Sequence, residues 1–254
     1  MPSARAVKLP RSWAALRAPV LALAFTGAAF LIWDLSGLDP ALTRWFGSEQ
    51  GFAWRDHGLT RHVLHDASRW LAGILALLLL ADAWRPILPG PTRLQRFFWL
   101  GALVSAWIVV PLHKRVSLTS CPWDLAEFGG RASLVSHWAW GVADGGPGKC
   151  FPSGHATTAF GFLALYFLWR SWRPALARRI LIVTLAAGAL LAVGQLARGA
   201  HHLSHSLWSA WLCGAWMLLL SLFEPSAARA RPHAALTPAT AALRPARASN
   251  NRRR

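Results

Sequence analysis

Acid is what this sequence lacks most: 10 Asp and Glu stand against 27 Lys and Arg, a formal charge of +17 over 254 residues. Charge of either sign is sparse, at 15% of residues, where a soluble domain carries about 25%. With a hydrophobic content of 54%, this excludes intrinsic disorder, which needs low hydrophobicity and high charge. Three cysteines are too few for a disulfide scaffold. The sequence has no Gly-rich nucleotide loop and no internal repeat. Nor do its basic residues cluster on amphipathic polar elements, as a nucleic-acid binder would require. They lie between long apolar runs, and that arrangement points to a membrane.

A helix needs about 20 mainly apolar residues to cross the hydrocarbon core. Six stretches approach that length: residues 19–35, 70–84, 97–113, 155–169, 180–197 and 206–223. The second and fourth are short and need flanking residues to reach across. As core helices of a soluble protein, six nearly uncharged segments would leave too little polar surface to cover them. The first follows basic residues, as the apolar part of a signal peptide would. It is long for that role, and no small-residue cleavage site follows it, so it reads as a retained helix. The expected fold is all-α, a polytopic membrane protein with a six-transmembrane-helix bundle over residues 1–223. Residues 224–254 form a basic tail without apolar period, expected to be disordered and cytoplasmic.

The flanks of these stretches alternate in charge. The N-terminal segment, loops 85–96 and 170–179, and the tail hold Arg and Lys with almost no acid. Segment 34–69 mixes four Arg with five acids, and loop 114–149 is mixed too. The positive-inside rule then puts both termini in the cytoplasm and the mixed loops outside, and the membrane expected is a bacterial inner membrane. The net charge is thereby an orientation signal, and no nucleic-acid partner is expected. Segment 34–69 also sets Trp45, Phe46, Phe52 and Trp54 among charged residues, the pattern of one or two short amphipathic helices at the interface.

Ionisable residues at membrane helix ends are functional candidates by default. Three such groups share the outer face in this topology. His113, Lys114 and Arg115 end the third span; Pro152, Ser153, Gly154 and His155 open the fourth; Gln195, Arg198, His201, His202 and His205 follow the fifth. Lys114 and Arg198 are fixed cations suited to phosphate oxygens. The turn through Ser153 and Gly154 opens a helix whose free N–H groups and positive dipole end favour an anion. Histidines supply a nucleophile and a general acid near neutral pH. Together these residues suit phosphoryl transfer, in which positioning and charge stabilisation dominate. Plainer readings exist: Lys114 and Arg115 as snorkelling side chains, Pro-Ser-Gly as an ordinary helix start, His201 and His205 as i, i+4 zinc ligands. The zinc reading lacks the acidic base of a zinc protease, and the neighbouring cations would repel a metal.

In order and placement, Lys114-x6-Cys121-Pro122, then Pro152-Ser153-Gly154-His155, then Arg198 with His201 and His205 resemble the type 2 phosphatidic acid phosphatase superfamily. That superfamily's pattern reads K-x6-RP, PSGH, SR-x5-H-x3-D. The resemblance covers the third to sixth helices. It implies His201 as nucleophile and His155 as the acid that protonates the leaving lipid oxygen. Lys114, Arg198 and the Ser153–Gly154 backbone would hold the phosphate, with no metal or other cofactor, and water would hydrolyse the phosphohistidine. Three departures accompany it. Cys121 stands where the pattern has its first arginine, a loss for Arg115 or Lys149 to offset. Gln195 stands at the arginine of the third motif, with Arg198 nearly one helical turn further on. His205 replaces the aspartate that orients the nucleophile, and Asp124 and Glu127 are the acids available in its stead. The register Arg198-x6-His205 would instead make His205 the nucleophile.

Cys121 and Cys150 both fall in the outer loop, where an oxidising periplasm permits a bridge. A disulfide tying the first motif to the second is expected, with Cys213 free inside the last span. The resemblance implies a membrane lipid phosphate or diphosphate phosphohydrolase acting at the periplasmic face, with a lipid substrate and the bilayer as its partners. A lipid-to-lipid phosphotransferase and a non-catalytic lipid-phosphate binding or transport protein are the alternatives.

Overall fold

The computed structural model describes residues 13–225, with side chains from residue 16 onward. The basic N-terminal residues before these, and the expected tail beyond residue 225, lie outside the described residues. The long helices are α1 (Trp13–Leu35), α3 (Ser68–Trp84), α4 (Arg93–Lys114), α7 (Pro174–Ala197) and α8 (Leu203–Leu220); α2 (Leu38–Thr43) is a short helix of six residues. The strands among the described residues are the two-residue pair β1 (Gly47–Ser48) and β2 (Gly51–Phe52).

Five helical segments are long and apolar enough to cross a membrane: Leu16–Leu35, Leu59–Trp84, Arg93–Lys114, Pro174–Ala197 and Leu203–Phe223. The second gains its length from a π-helical stretch, Leu59–Ala67, that runs straight into α3. This stretch takes the place of a separate amphipathic interface helix. The expected span 155–169 has a different form, two seven-residue helices, α5 (Gly154–Phe160) and α6 (Leu163–Trp169). Between them the N–H groups of Phe162, Ala164 and Leu165 bond three residues back, to Ala159, Gly161 and Phe162. The chain thus tightens into a 3₁₀ turn instead of leaving its helical path. Trp107 packs against Gly161 in that turn, where a Cβ would meet its indole nitrogen.

α4 stands at the centre of the bundle. Its Trp99, Leu103 and Ala106 are fully buried in one apolar cluster with Ala156, Phe160 and Phe167 of α5 and α6 and Met217 of α8. Trp99 stacks on Phe167 with ring centroids 5.2 Å apart. α1 packs on α8, where Gly27 leaves room for Trp211, whose Nε1 donates to the Leu23 carbonyl at 2.8 Å. The other faces of α1 and α3 expose Phe25, Ile32, Leu77 and Leu78. Burying each such side chain is worth about 1.5–3 kcal/mol, so these faces suit hydrocarbon and not water.

The two ends of the bundle differ. At one, Arg96 is buried against Asp82 and over the Trp169 ring, and a Thr92–Gln95 capping box starts α4. At the other, α4 and α7 finish while α3, α5 and α8 begin, and the loop from residue 115 to 153 folds over them. The Asp144 carboxylate braces this loop, accepting from the Ser120 N–H at 2.5 Å, the Ser120 hydroxyl at 2.8 Å and the Gly146 N–H at 3.0 Å. The expected disulfide, Cys121–Cys150, is formed, and Cys213 is free and buried.

Candidate active site

The end of α7 is closed by glycine. Gly199 adopts φ 70. Its N–H reaches the Leu196 carbonyl at 2.9 Å, and the Ala200 N–H reaches the Gln195 carbonyl at 2.9 Å, the paired bonds of a Schellman motif. A Cβ at Gly199 would run into the Phe52 ring. Glycine thus serves both the left-handed backbone and the close approach. This turn sets Gln195 and Arg198 on one side and His201 on the other, while the Trp123 N–H ties it to the covering loop through the Gly199 carbonyl at 3.0 Å.

α4 ends on Lys114 and α5 begins on Gly154. The Ser153 side chain caps α5, accepting from the Ala156 N–H at 3.3 Å, and the Ser153 N–H donates to the His205 carbonyl at 3.0 Å. These three helix ends surround one cavity of about 660 Å³. Its polar lining is Lys114, His155, Thr158, Gln195, Arg198 and His201, joined from the second span by His65 and Arg69. No carboxylate is among the lining residues. Ala72 and Gly73 of α3 and Trp107 and Pro111 of α4 supply the apolar part.

The structure therefore brings together Lys114, Gly154, His155, Arg198 and His201. Ser153 is buried beside the cavity with its hydroxyl engaged as a helix cap, and Arg115 is exposed, one position beyond the end of α4 and off the cavity wall. Lys149 and Asp124 do not line the cavity either, and Glu127 pairs with Arg44. His65 and Arg69 were not singled out in the sequence. Their four-residue spacing would have marked them only if the second span had been carried back through residue 59.

Each site histidine is fixed through one ring nitrogen. The His155 Nε2 lies 2.9 Å from the Leu64 carbonyl. A carbonyl only accepts, so Nε2 carries the proton and Nδ1 is left for the cavity. The His65 ring stacks on His155 at 4.6 Å, itself held by Asp66 at 2.8 Å. The His201 Nδ1 lies 3.4 Å from His205 Nδ1 and 3.4 Å from Cys150 Sγ, which leaves Nε2 toward the cavity. Burial pushes the His201 imidazole well below its usual value of 6.5, with Lys114 and His155 adding to the effect. The folded protein thus holds this ring neutral, with a free lone pair.

His205 lies on the other side of His201. It borders a second cavity of about 340 Å³ that Asp34, Asp39, His137 and His202 also line, and its Nε2 is buried without a partner. His201, not His205, reaches the cationic cavity. Cys150, His201 and His205 hold their donor atoms within 4.8 Å of one another, a spacing a metal would accept. Cys150 Sγ, however, is bonded to Cys121 and is no thiolate. The donors reduce to two imidazoles, short of the three or four protein ligands of a zinc site.

A family model described as the PAP2 superfamily matches residues 96–229. No curated protein and no solved structure gives a significant match. The matched stretch is more than half the chain, and it holds every polar residue of the cationic cavity except His65 and Arg69. The chain accordingly belongs to the PAP2 superfamily, whose chemistry is phosphoryl transfer of the phosphatase type.

Proposed function

We propose that the protein is an integral membrane phosphohydrolase of lipid phosphates or lipid diphosphates, working through a phosphohistidine without a metal, at the periplasmic face of a bacterial inner membrane. The observation that carries this reading is the double character of one cavity. Lys114, Arg198 and the N-terminus of α5 offer positive charge and N–H donors, and His155 and His201 offer proton transfer and a nucleophile. Beside them the cavity is walled by apolar residues of α3 and α4, helices that are long and apolar enough to lie in a bilayer. A phosphate head fits the first part and an acyl or prenyl chain the second. The mixed-charge segments 34–69 and 114–149 adjoin the site end, which supports an outward-facing site by the positive-inside rule.

In the first step the His201 Nε2 lone pair attacks phosphorus in line. The bond from phosphorus to the lipid oxygen breaks, and that oxygen takes a proton from His155 Nδ1. His155 enters this step as the imidazolium, favoured by the negative charge of the bound phosphate although burial pushes its pKa down to about 4. The Leu64 carbonyl keeps the other His155 proton on Nε2, so only the Nδ1 proton moves. A water oxygen then attacks the phosphohistidine, its proton passes to His155, and inorganic phosphate leaves with His201 restored. Lys114 and Arg198 stabilise the charge that builds on the phosphoryl oxygens in both steps.

The test is phosphate release from a panel of lipid phosphates by detergent-purified protein in the presence of a chelator. Release that vanadate inhibits, and that His201→Ala and His155→Ala each abolish, is the expected result. Labelled phosphate passing to another lipid without release would establish a phosphotransferase instead. Lipid-phosphate binding with neither reaction would make the protein a binding or transport protein. A strict need for zinc would contradict the mechanism.

A further inference from the structure

The superfamily pattern carries two arginines that this chain lacks, at Cys121 and Gln195. Both positions line the cationic cavity, so the places where the pattern has charge are uncharged here. A third cation has come from elsewhere. Arg69, in the first turn of α3, lines the same cavity. Its side chain is exposed and makes no hydrogen bond or ion pair among the described residues. The acid one turn before it, Asp66, is taken by His65 at 2.8 Å and His62 at 3.4 Å. With no carboxylate on the cavity wall, the Arg69 guanidinium has no carboxylate to pair with among the described residues.

A second observation points to a ligand at this place. Gln195 is 2% exposed and lines the cavity, and its Nε2 has no hydrogen-bond partner. A buried amide left unpaired costs about 1–3 kcal/mol, a cost that an anion's oxygen would remove. The π-helical stretch explains how Arg69 reaches the site. The Leu64 carbonyl and the Ser68 hydroxyl engage His155 Nε2 at 2.9 and 3.3 Å, His65 stacks on the same ring, and Leu64 fills the space beside Gly194 of α7. The start of the second span is thereby locked onto the catalytic helix ends, with Arg69 one residue past the lock.

We infer that Arg69 is a phosphate-binding residue of this site and, with the Gln195 amide, replaces the two missing arginines. The inference rests on the phosphohydrolase reading above and adds to it a residue from outside the family's three motifs. Arg69 and Gln195 donate to non-bridging oxygens of the phosphoryl group, which Lys114 and Arg198 also contact. No proton or bond changes hands at either residue.

The experiment measures orthovanadate affinity, by protection against thermal unfolding, and lipid-phosphate hydrolysis on detergent-purified wild type, Arg69→Ala, Arg69→Lys and Arg61→Ala. Arg61 is exposed on the same π-helical stretch, paired with Asp56 at 2.8 Å, and off the cavity wall. Arg69→Ala is expected to weaken vanadate binding roughly 10- to 100-fold, Arg69→Lys less, and Arg61→Ala not at all. Vanadate binding by Arg69→Ala equal to wild type would overturn the inference, as would a wild type that binds no vanadate. A wild type that binds vanadate and loses it on Arg69→Ala, yet releases no phosphate from any lipid, would uphold Arg69 while ending the hydrolase reading.

Discussion

Changing His205 to aspartate returns the carboxylate that the superfamily pattern has and this chain lacks, and the structure sets the size of the effect. The His205 Nδ1 lies 3.4 Å from the His201 Nδ1, longer than a good N–H hydrogen bond. Relative to Cβ, an aspartate Oδ1 falls close to where a histidine Nδ1 sits, so a shift of a few tenths of an ångström would bring it into bonding range. His205 is 1% exposed, but its ring borders the second, polar-lined cavity, so the smaller side chain adds its freed volume to that space. A hydrogen bond to an ionised partner contributes about 1.5–3 kcal/mol where a neutral one contributes about 1 kcal/mol. Against the isosteric, neutral His205→Asn, the aspartate variant should therefore gain about 1.5 kcal/mol in the transition state, roughly tenfold in kcat/KM.

The same substitution has a signature in pH. In the wild type, burial holds His201 well below 6.5, so the acid limb of kcat/KM should fall below that value. A carboxylate beside the ring favours the imidazolium, and the limb moves to higher pH in His205→Asp but not in His205→Asn. The assay is the initial rate of phosphate release from a detergent-dispersed lipid phosphate between about pH 4.5 and 8. Equal rates for the aspartate and asparagine variants, with an unmoved acid limb, would refute the assignment of His201 as nucleophile and His205 as its neighbour in the aspartate's place.

Two further outcomes follow from the architecture. Removing the Cys121–Cys150 bridge, with a dithiol or by Cys121→Ser/Cys150→Ser, frees a loop whose ends are 29 residues apart. Loop entropy alone predicts a loss of about 3–4 kcal/mol, read as a lower Tm in detergent, and an unchanged Tm would contradict it. Gly73 of α3 faces open space at the apolar side of the cavity. Gly73→Leu should lower the ratio of lipid-phosphate to short-chain phosphate ester turnover roughly tenfold or more, and an unchanged ratio would remove α3 from the lipid path.

Much of this arrangement was legible in the sequence because membrane helices state themselves through composition. The apolar runs, the spacing from Lys114 to Pro122 and the Pro152–His155 turn each depend on residues close in the chain. Helix ends then follow from local rules, and the meeting of Lys114, His155, Arg198 and His201 follows once those ends share a face. What was hidden depends on long-range contact. Arg69 and His65 read as part of a mixed-charge segment, because nothing local shows that the Leu64 carbonyl will find His155 more than 90 residues away. Ser153 reads as a phosphate ligand until the backbone shows its hydroxyl capping α5. Arg115 and Lys114 look alike in sequence, yet one step around the end of α4 turns the first to solvent and the second to the cavity. The bridge between Cys121 and Cys150 was foreseeable because both fall in one loop.

The most direct measurement is rapid quench of purified protein with a lipid substrate labelled in its phosphate. Label that is stable in alkali, lost in acid and mapped to His201 is the predicted result, absent from His201→Ala. Turnover without any protein-bound label, or label on a different residue, would contradict the account.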